Sequence, residues 1–280
     1  MSMNSINTNV GAMIALQSLN TTTQQLNTTQ NRISTGLKIA SAKDNGAIWA
    51  IAQNSRADIS ALDSVKDSIQ RGQSTVDVAI SAGQTISDLL NQMKAKALAG
   101  SDTSLDTNSR TALANDFVAL RNQISKTITA ASFNGTNMLK TGATSLYSLA
   151  DSTGATKLTV QAQVLGLTAG SAGTIITFTV GSTFASATAA STLVAQLTAS
   201  ITNVNAAVAK LGTGSNALST HLSFISNLQD TMTTGVGNLV DADVAKESAT
   251  LQALQTKQQL GIQALSIANQ SSSNLLSLFR

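Results

Sequence analysis

Apolar residues recur along this chain at spacings of three and four over most of its length. The clearest run lies between residues 57 and 99, where positions 62, 65, 69, 72, 76, 79, 83, 86, 90, 93 and 97 hold Leu62, Val65, Ile69, Gly72, Val76, Ala79, Gly83, Ile86, Leu90, Met93 and Ala97. All are apolar or small, so the run predicts a long helix packed along a coiled-coil or bundle seam rather than one face of a compact globular helix. At 1.5 Å per residue it would extend roughly 60 Å. Gly100-Ser101-Asp102 is the stop, and a second helix follows with Leu113, Phe117, Leu120, Ile124 and Ile128 on one face. The short link between them predicts antiparallel neighbours.

Residues 134–187 change character: Gly, Ser, Thr and Ala dominate, and two alternating runs, Leu158 to Val164 and Ile176 to Val180, predict β-hairpin strands bounded by glycine turns. The helical period returns from about residue 190 through Leu193, Leu197, Val204, Val208 and Leu211. It is interrupted at glycines 212–214 and resumes through Leu218, Leu222, Ile225, Met232, Val236 and Leu239. A last three-four track runs from 240 to 279 through Val240, Val244, Leu251, Leu254, Leu265, Ala268, Leu275 and Phe279, with Glu247, Gln258, Gly261 and Ser272 at its other positions. The expected fold is mainly α with a small β-hairpin region: a long antiparallel helical bundle or coiled coil, its N- and C-terminal helices paired and its β-rich tip farthest from them.

The two ends differ from the middle in their polar positions. Residues 1–31 carry no charged side chain, and neither do residues 258–279, yet both stretches are patterned as amphipathic helices. The N-terminal stripe is Ile6, Val10, Met13, Leu16, Leu19, Leu26 and Ile33, of which the last three fall seven apart. The opposite faces are Ser, Thr, Asn and Gln, where a solvent-exposed helix of a monomer normally carries Lys and Glu. Such ends are poorly stable alone and suit packing in many copies, ordering mainly on assembly. The stripe Ile6, Val10, Met13, Leu16, Leu19, Leu26, Ile33, Leu251, Leu254, Leu265, Leu275 and Phe279 is therefore the candidate polymerisation interface. Residues 35–46, rich in Gly, Ser and Asn, form a connector; in and beside it Arg32, Gly36, Lys38, Lys43, Asp44 and Trp49 are the candidate connector residues.

Composition narrows the function classes. Charged residues are 11% and aromatics 3% of 280, so the core is aliphatic; the absence of Pro suits unbroken helices, and the absence of Cys excludes disulfides and thiolate metal sites. The 17 Lys and Arg are scattered without a basic run, which argues against a nucleic-acid partner. No stretch has about 18 consecutive apolar residues, so no membrane span is expected. The first residues have neither the basic region nor the apolar core of a secretory signal.

The ends resemble those of bacterial flagellins, especially the short alphaproteobacterial type. The likeness runs from Ile6-Asn7-Thr8-Asn9 through Leu16, Leu19 and Leu26 to Arg32-Ile33-Ser34-Thr35-Gly36-Leu37-Lys38, and on to Asp44-Asn45. It continues at Phe133-Asn134-Gly135, at Leu260-Gly261-Ile262-Gln263-Ala264-Leu265-Ser266-Ile267-Ala268-Asn269-Gln270, and at Leu275-Leu276-Ser277-Leu278-Phe279-Arg280. The resemblance implies a structural subunit of the extracellular flagellar filament, serving swimming motility and exported unfolded by the flagellar type III system. It implies terminal helices (1–34 with 238–280) paired as an inner tube, a helical core (47–133 with 190–237), a β-hairpin tip (134–189) and no large outer domain. The implied partners are many copies of itself, other flagellins, junction and cap proteins and an export chaperone, with no nucleic acid, no membrane and no cofactor. The chain departs from the family at Gly46-Ala47-Ile48-Trp49, and at Gln92, which stands where members recognised by an animal innate receptor carry Arg.

The remaining chemistry has plain structural readings. His221 is the single His and has neither Cys nor a His-Glu-x-x-His pattern beside it, so a structural role is expected over metal binding. Gly72 and Gly83 read as close-packing positions. Asp241, Asp243 and Glu247 read as a dipole-favourable helix start, with a carboxylate metal site as the alternative. Arg32, Lys38, Lys43 and Asp44 suit either ion pairs between subunits or a solvated loop, and Ser and Thr in 141–192 suit O-linked sugars or none. No catalytic constellation is present. Besides the filament subunit, a hook–filament junction protein and a secreted monomeric helical adhesin or effector remain open.

Overall fold

The computed structural model describes residues 8–167 and 175–277, the last seven by backbone alone. Five helices and one two-stranded sheet follow in order: α1 Val10–Thr35, α2 Gly46–Gly100, α3 Thr107–Ala130, β1 Leu146–Leu149, β2 Lys157–Val160, α4 Ala187–Val240 and α5 Val244–Ser277. The chain divides into two compact units, Met1–Ala57 with Thr231–Arg280, and Asp58–Asp230. Among the described residues no helix is long and apolar enough to cross a membrane.

In the unit Asp58–Asp230, all eleven seam positions of α2 are buried. They meet a matching row on α4, where Leu193, Leu197, Ser200, Val204, Ala207, Leu211, Leu218 and Ile225 are buried. The two helices run antiparallel, as cross-links between Lys66 and Gln229 (3.3 Å), Asp77 and Ser215 (3.2 Å) and Ser87 and Asn205 (2.9 Å) show. Gly83 permits this approach: a Cβ there would lie 2.6 Å from Val208 Cγ2. α3 returns along α2 with Ala114, Phe117, Ile124 and Ile128 buried. Its start is capped by Asp106, whose carboxylate accepts from the Asn108 and Ser109 amides. Arg110 closes the end of α2, donating to the carbonyls of Gly100, Asp102 and Leu105, where a cation is favoured by the helix dipole.

The sheet differs from expectation in its pairing. β2 is a strand, but its antiparallel partner is Leu146–Leu149, not Ile176–Val180. The 176–180 segment does alternate, with Ile176 and Phe178 2% exposed, but it lies on α4 instead of on a strand: the Thr177 amide donates to Ser200 Oγ and the Thr177 hydroxyl to the Gln196 carbonyl. Phe178 and Phe184 both pack on Phe117, with centroids at 6.4 and 5.6 Å. Residues 163 and 165 bond to the carbonyls of Met138 and Leu139 rather than extending β2. The glycines at 212–214 do not interrupt α4, which is continuous from Ala187 to Val240. Gly214 is where β2 presses on the helix, since a Cβ there would meet Val160 Cγ1 at 2.6 Å. Gly72 likewise receives Ser148 and Leu146 of β1. His221 anchors the hairpin, its Nε2 2.8 Å from the Ala150 carbonyl, which is the structural role expected of it.

Candidate assembly surface

In the unit formed by the chain's two ends, α1 and α5 pair antiparallel. Asn9 caps α1 by accepting from the Ala12 amide and ties it to α5 by donating to the Ala268 carbonyl at 2.8 Å. Leu19 packs on Gly261, where a Cβ would lie 3.4 Å from Leu19 Cδ1, and Arg32 pairs with Glu247 at 3.1 Å. The connector is a clip. Gly36 ends α1 in the left-handed region at φ 70°, which Gly adopts without steric cost. Leu37 then bridges Asp241, the Lys38 amide donates to the Val240 carbonyl at 2.7 Å, and the Ala242 amide to that of Gly36 at 2.9 Å.

The predicted stripe divides between two faces. Leu26 and Leu254 are buried, and Leu19, Ile33, Leu251 and Leu265 are half-buried. With Thr22 and Thr29, both buried, they belong to the α1–α5 pairing within the chain. Val10, Met13 and Leu16 instead face solvent at 53%, 60% and 48% exposure. Ile6 and Phe279 lie outside the described residues, as does the Leu275 side chain. Besides Val244, which is on the track, four further large apolar residues are exposed in these helices: Ile14, Leu260, Ile262 and Ile267. They sit off the three-four track, so periodicity does not single them out. Their signal in the sequence is a surplus, since the seam needs one apolar residue per three or four and these helices carry more. Val10, Met13, Ile14 and Leu16 line a groove of ≈ 580 Å³ with Gln17, Asn20, Thr21 and Gln24.

The polar face of these helices is less demanding than its composition suggests. Thr21, Thr22, Thr23, Thr28 and Thr35 each donate their hydroxyl to the carbonyl four residues back, as do Thr250 and Thr256 on α5. Among the connector residues, Arg32 is engaged within the chain, Lys38 and Lys43 are exposed, and Trp49 is half-buried. Hydrogen bonds from the Ser41 amide and hydroxyl, then the Ala40 amide, hold the Asp44 carboxyl below its ordinary value. Asp243 caps α5 by accepting from the Ala245 and Lys246 amides, and Glu247 lies in the first turn, the dipole-favourable arrangement. Among the described residues no group of three or more His, Cys, Asp or Glu is placed to hold a metal.

Residues 6–144 match the bacterial flagellin N-terminal helical region, and residues 194–279 the bacterial flagellin C-terminal helical region. Flagellin FljK of Caulobacter vibrioides is 57% identical over the whole of both chains. The chain belongs to the bacterial flagellin family. Flagellin C of Rhizobium meliloti is 39% identical over 50% of this chain and 43% of its own. A crystal structure of Bacillus cereus flagellin aligns at a TM-score of 0.48 and 21% identity, covering 56% of this chain and 88% of that one. As a flagellin the chain is a structural protein and not an enzyme. Its sequence is of the short alphaproteobacterial type, to which the full-length likeness to the Caulobacter flagellins assigns it.

Proposed function

We propose that this flagellin polymerises through its paired terminal helices into the extracellular helical filament of the bacterial flagellum and serves swimming motility. The observation that carries this reading is the outward face of α1 and α5. Val10, Met13, Ile14, Leu16, Leu260, Ile262 and Ile267 are exposed to between 48% and 69%, within the stretches 1–31 and 258–279 that bear no charge. At roughly 1.5–3 kcal/mol for each large side chain fully buried, one such face per subunit supplies a strong drive to associate. An uncharged face suits a contact repeated in every copy, because each unpaired charge buried there would be costly.

In this reading residues 1–34 and 238–280 form the inner tube, 35–46 the connector, 47–133 with 190–237 the helical core and 134–189 the tip. Export unfolded through the flagellar type III system, and contacts with other flagellins, junction and cap proteins and a chaperone, follow from the same family reading. The test is seeded growth. Purified chain is incubated with sheared filament fragments and viewed by electron microscopy beside a chain lacking residues 1–31 and 258–280. Long filaments from the full chain alone are expected. A stable monomer that never extends a seed would overturn the proposal.

A further inference from the structure

Where β1 and the 133–136 turn pack against α2, they enclose a cavity of ≈ 210 Å³ lined by Ser68, Arg71, Phe133, Asn134, Tyr147 and Ser148, among others. The turn is a tight two-residue reversal. Phe133 and Thr136 exchange both backbone hydrogen bonds, and Asn134 and Gly135 have φ of 46° and 78°, the left-handed pair that such a turn requires. It holds Asn134 at the cavity beside the Phe133 ring.

Several of the polar groups in this wall are unengaged. Among the described residues, neither Arg32–Glu247 nor Lys96–Asp116 draws on Arg71, whose guanidinium has no acidic partner and donates no hydrogen bond there. Asp67, one turn earlier on the same helix, is not in ion-pair contact with it. The Asn134 amide and the Tyr147 hydroxyl also make no hydrogen bond among the described residues. Ser148 is 1% exposed, and its hydroxyl is buried without a partner. A buried orphan hydroxyl is uncommon and normally has an explanation. Arg, Tyr, Phe and Asn around one concavity make a site for a planar anion: the guanidinium fork matches a carboxylate, and the two aromatic rings, 37% and 62% exposed, can shield the pair from water.

The same unit carries the complementary charge. Residues 58–230 hold ten acidic and ten basic side chains, so the unit has acidic groups to offer a second copy. Asp58, Asp67 and Asp88 on α2 are exposed and accept no hydrogen bond. We propose that the Arg71 cavity is an anchor for a carboxylate of a second copy, supplied by one of these three α2 aspartates and held by Arg71 with Asn134 and Tyr147 as flanking donors. This rests on the filament reading and adds to it a polar contact, away from the terminal helices, that sets how neighbouring copies register.

Seeded growth of the full chain tests it. Arg71→Glu, checked as folded by circular dichroism, is expected to raise the critical concentration for growth about tenfold or more. Arg71→Lys, which keeps charge but not the fork, is expected to fall between it and the wild type. Pairing Arg71→Glu with Asp58→Arg, Asp67→Arg or Asp88→Arg in turn should restore growth for one combination. A folded Arg71→Glu chain growing at the wild-type critical concentration, or failure of all three reversals, would sink the anchor while leaving the filament reading intact. Absence of seeded growth from the wild-type chain itself would sink both.

Discussion

The pair α1–α5 and the pair α2–α4 are both antiparallel, and both follow the same three-four rule along the seam. They differ off the seam. Around α2 and α4 the remaining positions are charged or polar, with Leu98 and Phe224 the large apolar exceptions within 58–230, and the seam seals eleven positions of α2. Around α1 and α5 eight large apolar residues are exposed beside a seam that includes Thr22, Thr29 and Gly261. Under the proposed function, folding and assembly are written on different faces of similar helices.

The largest effect should come from charging the outer face. Ile14→Asp is expected to abolish seeded growth, with critical concentration raised at least about a hundredfold, while the circular dichroism of the monomer is unchanged. Sedimentation of seeded samples reads this directly. Unimpaired growth would mean that the exposed apolar face is not the assembly surface. Next is the core. Phe117→Ala empties the centre of the Phe117, Phe178 and Phe184 cluster and should cost about 3–5 kcal/mol in a urea melt of the monomer. A loss under about 1 kcal/mol would mean that the cluster is not a core.

Much of this division is legible in the order of residues alone. The seam of α2, the stop after Gly100, the α3 face and the pairing of the ends all follow from spacing, because a helix face is a local property of sequence. Strand pairing is not. Leu158 to Val160 alternates in the expected way, but Leu146-Tyr147-Ser148-Leu149 is too short to stand out, and Ile176 to Val180 alternates because it lies on α4. Glycine misleads for a related reason: Gly214 has no strain to relieve in α4 and serves the packing of Val160, a contact between residues 54 apart. At the candidate surface, Leu19 and Leu26 keep the period but face α5, whereas Ile14, Leu260, Ile262 and Ile267 lie off the track and face out. Periodicity finds the face that pairs within the chain; the exposed apolar face appears as what is left over.

Two smaller effects sharpen the contrast. Gly83→Ala places a methyl against Val208 and should cost about 1–3 kcal/mol in the same urea melt. Gly235→Ala, at an open position of the helix α4, should instead stabilise slightly, by under about 1 kcal/mol. Equal responses at the two sites would remove close approach as the reason for Gly83. The smallest effect concerns acid. Hydrogen bonds from Thr156 and then Thr153 hold the Asp151 carboxyl down to about 2, below its ordinary 3.8. A lowered folded value means that the loop between β1 and β2 keeps this support above pH 3.8 and loses it as pH falls toward 2. Amide exchange of Thr153 and Thr156 should accelerate over that range in the wild type, and Asp151→Asn should flatten the response.

The threonines that bond back to their own helix engage their hydroxyl donors there, so the face of α1 and α5 would offer a neighbour contact area but few directional bonds. A neighbouring helix sliding a fraction of a turn along such a surface breaks no hydrogen bond and meets no charge. Its energy profile is shallow where a salt-bridged interface would be steep. Subunits joined this way in the proposed filament would share a curvature by many small slips, and such a polymer would bend and recover without coming apart.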